Sequence, residues 1–167
     1  SCSYEARSFG IHSAMPMKQA KQLCPNAIII RGDSQLYSDY SKDVTSIIAE
    51  SVPLYEKSSI DEFYIDLTGM EKFFGSWKLA MELKDKILRE TGLPISFGLA
   101  SNKTVSKVAT GTAKPAGQRK VDFGDEIPFL APLSVRKIPG VGAETYKTLR
   151  GLGIQYIKTL QEMPMEL

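Results

Sequence analysis

Thiol, indole and imidazole are scarce in this chain: its 167 residues include two cysteines, one tryptophan and one histidine. Cys2 and Cys24 have no metal-ligand spacing and build no disulfide framework, which argues against a disulfide-stapled secreted domain and against a cysteine zinc site. No apolar run reaches the length of a membrane span, and the first residues carry no signal-peptide pattern. A cytoplasmic protein in a reducing compartment is the expectation. A large net charge is missing too; the formal value of +2 by itself says nothing about nucleic acid. His12 has no acid or metal-partner pattern around it and reads as a surface or packing residue, not a catalytic one.

The charge that is present is unevenly placed. From Thr91 to Val121 there is no Asp or Glu, while Lys103, Lys107, Lys114, Arg119 and Lys120 fall there; over residues 33–90 acids outnumber bases. A stretch that suits phosphates thus follows one that suits cations, although solvated faces carry the same pattern. A hydrophobic content of 43% supplies one core and part of a second domain.

Periodicity gives the order of elements. Pro16 opens a short helix, "PMKQAKQLC", with Met17, Ala20 and Cys24 on one face and Pro25 as its stop. "AIIIR" (27–31) reads as a short buried strand. A helix over about 37–51 places Tyr40, Val44, Ile47 and Ile48 at amphipathic spacing. "PLYEKSS" and "EFYIDLT" follow as a β-hairpin with only Ile60 and Asp61 between the two runs. A helix over about 76–91 carries Leu79, Leu83 and Ile87 on one stripe and stops at Gly92. "PISFGLAS" alternates as a half-buried strand, and a helix from Asn102 to about Ala113 turns Val105, Val108 and Ala109 inward. Prolines and a composition shift mark a domain junction over 121–134, and short helices joined by glycine turns follow. The middle order fits the split βαβ, ferredoxin-like arrangement once one strand is added in front. That strand is either "AIIIR" or a segment upstream of Ser1.

"SSIDEFYID" (58–66) sets Asp61 beside Glu62. Neighbours on a regular strand point to opposite faces, so the two acids converge only if the chain bends there. Three readings are open: a capping box from Ser59 to Glu62, a solvated hairpin turn, or a metal-holding turn. The period-two alternation of Phe63, Ile65 and Leu67 weighs against the capping box.

"SIDEFYIDLTG" (59–69) resembles the second acidic motif of the Y-family DNA polymerases, the translesion enzymes of the DinB type. "YEARSFGIHSAMP" (4–16) is similar to that family's fingers motif, "GLASNKTVSKVATGTAKPAGQ" (98–118) to its palm helix and following loop, and "IPGVGAETYKTLRGLGI" (138–154) to the helix-hairpin-helix of its thumb. Four motifs in the family's order cover nearly the whole chain. The resemblance implies an α+β fold: a ferredoxin-like palm of an antiparallel sheet with two helices, lacking its first strand (33–121), a small fingers portion (1–32) and a partial helical thumb with helix-hairpin-helix (122–167). It implies template-directed DNA synthesis, of low fidelity and past lesions, with two Mg²⁺ ions for which Mn²⁺ substitutes. By the same resemblance Asp61 bridges the two ions and Glu62 binds the catalytic one. Tyr4, Arg7 and Lys114 contact the triphosphate of the incoming dNTP, and Gly140, Gly142, Lys107 and Lys147 contact primer–template DNA, with Arg150 a further contact. A sliding clamp would bind a peptide beyond Leu167, and the parent protein would be a monomer.

The same comparison implies what is expected to be missing: the first acidic strand with its third carboxylate, and the C-terminal domain that grips DNA. As a piece of the parent enzyme the chain is expected to be inactive by itself and to leave an uncovered sheet edge. Two rival readings accompany this one. A diguanylate-type nucleotidyl cyclase has a "GGDEF" hairpin that "SIDEF" resembles, but neither "YEAR" nor a helix-hairpin-helix. A non-catalytic DNA-binding module would keep the fold and lose the chemistry.

Overall fold

The structure, a computed structural model, describes residues 1–70 and 75–164. Residues 71–74 of the expected palm and 165–167 of the expected thumb lie outside the described residues. The chain forms two compact units, Ser1–Gln35 and Leu36–Leu167.

The first unit holds α1 (Tyr4–Ser8) and α2 (Met17–Leu23). Ser3 starts α1 by accepting the Ala6 N–H on its hydroxyl, which satisfies one of the free amides of the first turn. Ile11 and Ala20 are its buried residues; Met17, expected inward beside Ala20, is half exposed. The strand expected over 27–31 does not form. Ile28 and Ile30 stand 90% and 84% exposed with no β pairing. A β-branched run fits a pleated surface only when a partner strand supplies that surface, and none of the described residues does so here.

The second unit begins within α3 (Ser34–Ser51), three residues longer at its start than the periodicity suggests. Its Ile47 and Ile48 pack with Val52 and with Leu83 and Ile87 of α4 (Ser76–Thr91) in the largest of the three apolar clusters among the described residues. Gly92 ends α4 in the left-handed region at φ 72°, donating to the Leu88 carbonyl, the glycine stop read from the sequence. The hairpin is β1 (Tyr55–Lys57) and β2 (Phe63–Ile65), antiparallel, with Tyr55 opposite Ile65 and Lys57 opposite Phe63. Its inner side chains Tyr55, Phe63 and Ile65 cover the same cluster.

The "PISFGLAS" run contributes β3 (Phe97–Leu99), and α5 (Lys103–Thr112) follows with Asn102 as its cap, the Asn102 side chain accepting the Val105 N–H. Gly98 is required where β3 meets α5: a Cβ there would lie 2.4 Å from the Ser106 carbonyl oxygen and 2.7 Å from Ala109 Cβ. Ser106 Oγ donates to the Gly98 carbonyl at 2.7 Å across this contact. A strand the sequence did not reveal, β4 (Gln118–Lys120), pairs parallel to β3 with Gly98 opposite Arg119. All three of its residues are exposed and polar, so it carries no apolar alternation to read.

The expected α+β class therefore stands, but the sheet is in two pieces and one of them, β3–β4, is parallel where an antiparallel sheet was expected. β1–β2 and β3–β4 are separate pairs, and no backbone hydrogen bond joins β2 to β3 among the described residues. Beyond β4, α6 (Glu126–Leu130) leads into a 3₁₀ turn (Val135–Lys137), α7 (Ala143–Gly151) and α8 (Ile157–Gln161) around Val135, Ile154 and Ile157. No helix among the described residues is long and apolar enough to cross a membrane.

Candidate active site

The hairpin turn is longer than the sequence suggests. Pairing stops at Lys57 and Phe63, so residues 58–62 all belong to the loop. Ser58 and Ser59 N–H both donate to the Glu62 carbonyl, at 2.9 and 3.2 Å, closing the bend. Ser41, buried in α3, donates its hydroxyl to the Ile60 carbonyl at 2.6 Å and ties the turn to the core. Asp61 and Glu62 thus leave the ladder and its alternation, and both are exposed. A capping box is ruled out, because the residues after Glu62 are β2 and not a helix.

One oxygen of each acid is engaged by the chain itself. Ser59 Oγ donates to Asp61 Oδ1 at 2.8 Å, and Lys107 Nζ lies 2.9 Å from Glu62 Oε2. The Glu62 hydrogen bond holds the Lys107 ammonium above the usual lysine range, against partial desolvation and with smaller help from the charges of Glu62, Tyr64 and Asp61. Lys107 was expected beside a DNA phosphate; here it sits on a carboxylate. One turn earlier Lys103 pairs with Glu56 at 2.5 Å and lies 5.4 Å from the Tyr64 ring centre. The lysine spacing was visible in sequence, but not that both side chains would reach the hairpin.

Among the described residues no three His, Cys, Asp or Glu side chains assemble as a metal cage. Two hard carboxylates are what Mg²⁺ takes from a protein when water and phosphate oxygens complete its shell, so this donor set fits that ion.

Lys114, exposed, follows Ala113, the residue that caps α5. The loop that carries it is pinned by Lys84 of α4, whose Nζ donates to the Ala116 carbonyl at 2.5 Å and to Gln118 Oε1 at 2.8 Å. Gly117 closes it against Ala113, where a Cβ would come within 2.2 Å of the carbonyl oxygen.

Tyr4 and Arg7 share α1 in the first unit. The Arg7 guanidinium carbon is 5.8 Å from the Tyr4 ring centre, and its Nη2 donates to Ser13 Oγ at 3.3 Å. His12 is exposed, with Nδ1 2.9 Å from the Ser13 carbonyl oxygen.

In the tail, Gly140 turns the chain at φ 88° and Gly142 precedes α7 without a side-chain cap. The helix therefore presents first-turn amides that no cap side chain covers. Tyr146 of α7 lies between Arg136 and Arg150, whose guanidinium carbons are 4.9 and 6.0 Å from its ring centre. Tyr146, Lys147, Arg150 and Gly151 line a shallow depression.

Tyr4, Arg7, Asp61, Glu62 and Lys107 fall in one family match and the Gly140–Gly142 turn in a second, while Lys114 lies between the two. The impB/mucB/samB family matches residues 1–111, and the IMS family HHH motif matches residues 124–154. The DNA polymerase IV of Dehalococcoides mccartyi strain CBDB1 is 44% identical over 163 residues, 97% of this chain and 42% of that protein. That of Treponema denticola is 46% identical over 154 residues, 92% of this chain and 39% of that protein. Among solved structures, DinB from Sulfolobus solfataricus superposes with a TM-score of 0.88 at 29% identity, covering 97% of this chain and 48% of that one. An insertion ternary complex of Dbh DNA polymerase gives 0.86 at 30% identity, with 97% and 48% covered. The chain spans about half the length of the solved proteins it matches, and less of the curated ones. With the family match running through the acid pair and the HHH motif through the glycine turn, this chain belongs to the impB/mucB/samB family, the Y family of DNA polymerases.

Proposed function

We propose that the protein containing this chain is a low-fidelity DNA-directed DNA polymerase that copies past lesions, the chain being its fingers (1–32), palm (33–121) and part of its thumb (122–167). The observation that carries the reading is the exposed Asp61–Glu62 pair at the closed end of the β1–β2 hairpin, inside the segment matched by the family.

Asp61 would bridge two Mg²⁺ ions and Glu62 would hold the catalytic one, with Mn²⁺ able to replace them; both are acceptor-only groups when ionised. When bound, such ions activate a primer 3′-hydroxyl and stabilise the pyrophosphate leaving group. Arg7 offers a two-pronged donor to triphosphate oxygens, Tyr4 a hydroxyl, and Lys114 a point charge on a loop held by Lys84. Gly140 and Gly142 would let a DNA phosphate approach the amides of α7, with Lys147 and Arg150 beside it. Lys107 would meet DNA phosphate only once it leaves Glu62. The Dbh complex shows a relative of this chain with substrates bound, which supports primer–template DNA and dNTP as the partners. A sliding clamp bound through a segment outside the chain, a monomeric parent and a cytoplasmic location complete the proposal.

The test is primer extension past an abasic site by the full-length protein. Asp61→Asn should cost on the order of a hundredfold or more in Mg²⁺-dependent rate, the scale of losing a preorganised charge at the reacting centre. An Asp61→Asn protein that extends primers as fast as the unmodified one overturns the metal assignment. The isolated chain should extend none, and ordinary turnover by it would overturn the expectation that it is incomplete.

A further inference from the structure

Glu62 is already neutralised by a cation of the chain's own. The Lys107 ammonium lies 2.9 Å from Oε2, and this is a reach between two elements, from α5 to the end of the hairpin. We infer that Lys107 is a stand-in for the divalent cation at Glu62, occupying the carboxylate while the metal is away and displaced when the metal enters. The inference rests on the metal reading of Asp61 and Glu62.

Three features suit Lys107 to that role. Its side chain is 39% exposed and that of Glu62 46%, so the pair is wet and weak enough for a divalent ion to break. An ammonium is a point charge on a flexible stem without the fixed fork of a guanidinium, so it leaves one oxygen without a set geometry to undo. The contact between α5 and the hairpin also does not depend on it, because Lys103, one turn away, holds Glu56 independently. Lys107 can let go while Lys103 keeps the two elements together. Once displaced, its ammonium is free for an anion beside the metal, such as a substrate phosphate. Metal entry and phosphate binding at this place are then coupled, each favouring the other.

The experiment is a titration of the full-length protein with Mn²⁺, reading free Mn²⁺ by electron paramagnetic resonance. Lys107→Met should tighten Mn²⁺ binding about three- to fivefold, the size expected when one exposed ion pair no longer competes. Lys103→Met removes the same charge one turn away and should leave the affinity unchanged. Tightening of equal size in both variants overturns the inference in favour of a general charge effect, and weaker binding in Lys107→Met overturns it in favour of a supporting role. A second measurement needs no variant: Mg²⁺ added to the unmodified full-length protein should shift the Lys107 side-chain NMR signals and leave those of Lys103 in place. Glu62 signals that move while Lys107 stays still overturn the displacement. Asp61→Asn separates the two levels. Mn²⁺ binding that this substitution leaves unaltered overturns the metal reading and the inference with it; Asp61-dependent binding that ignores Lys107→Met overturns the inference alone.

Discussion

At the hairpin turn the groups that face solvent are charged side chains, and side chains hold them: Ser59 on Asp61, Lys107 on Glu62, Lys103 on Glu56. In the segment from Val135 to Gln161 the groups proposed to meet DNA are backbone amides and glycines, and what holds them is a small apolar cluster of Val135, Ile154 and Ile157. The first region has geometry that a single charge can change. The second has geometry that follows from φ and ψ, with its side-chain charges added at the rim. Substitutions should therefore act differently in the two places: on charge balance without loss of fold in one, on backbone shape in the other.

The sharpest break is expected beneath the first region, where β3 lies on the helix that carries both lysines. Gly98→Val puts a branched side chain 2.4 Å from the Ser106 backbone oxygen, which can yield only if strand and helix separate. Urea denaturation should show a loss of about 3 kcal/mol or more, at or above the upper range for overpacking. Lys103→Ala, removing a pair with side chains 61% and 57% exposed, should cost at most about 1 kcal/mol in the same assay. Equal losses would mean that the close β3–α5 approach demands no more than an exposed ion pair.

A smaller effect is expected from Gly140→Ala. At φ 88° an alanine is strained by about 1–2 kcal/mol although the space around it is empty. Its signature should be weaker DNA binding with little change in salt dependence. Lys147→Ala combined with Arg150→Ala should do the reverse, leaving stability within about 0.5 kcal/mol. If each side chain meets one phosphate, the slope of log affinity against log salt should fall by about two. A changed slope in Gly140→Ala, or an unchanged one in the double variant, would break the distinction between backbone and rim.

The smallest expected effect is a pH effect at the start of α6. The Ser101 hydroxyl, first, and then the amides of Glu126 and Gly124 hold the Glu126 carboxyl below its ordinary range. Its folded value lies below its unfolded one, so this contact contributes stability above the unfolded carboxyl pKa and loses it as pH falls through the lowered value. Ser101→Ala should move the Glu126 titration upward by NMR and reduce the difference in stability between neutral and acidic pH.

How much of this was legible in the sequence depended on whether one segment carried its own signal. The α4 and α5 boundaries, the inward Val105, Val108 and Ala109, and the glycine stop at Gly92 all follow from local periodicity and capping. "AIIIR" misleads because its pattern describes a strand and cannot supply a neighbour. The exposed "QRK" of β4 hides because its pairing comes entirely from β3. At the site, the adjacency of Asp61 and Glu62 was readable, while the length of their turn depends on hydrogen bonds from Ser58 and Ser59. The Lys107–Glu62 pair joins residues 45 apart in sequence, so no local pattern could reveal it.

One contact sets how the site responds to its surroundings. The turn that bears the acids is anchored by an uncharged hydroxyl, Ser41 to the Ile60 carbonyl, beneath a surface that carries the Lys107 and Lys103 ion pairs. Salt, protonation or an arriving ion can rearrange the charges above it without loosening that anchor. The chain thus separates the mount from the load, and a polar bond with no net charge keeps the carboxylates in register through every electrostatic state they pass.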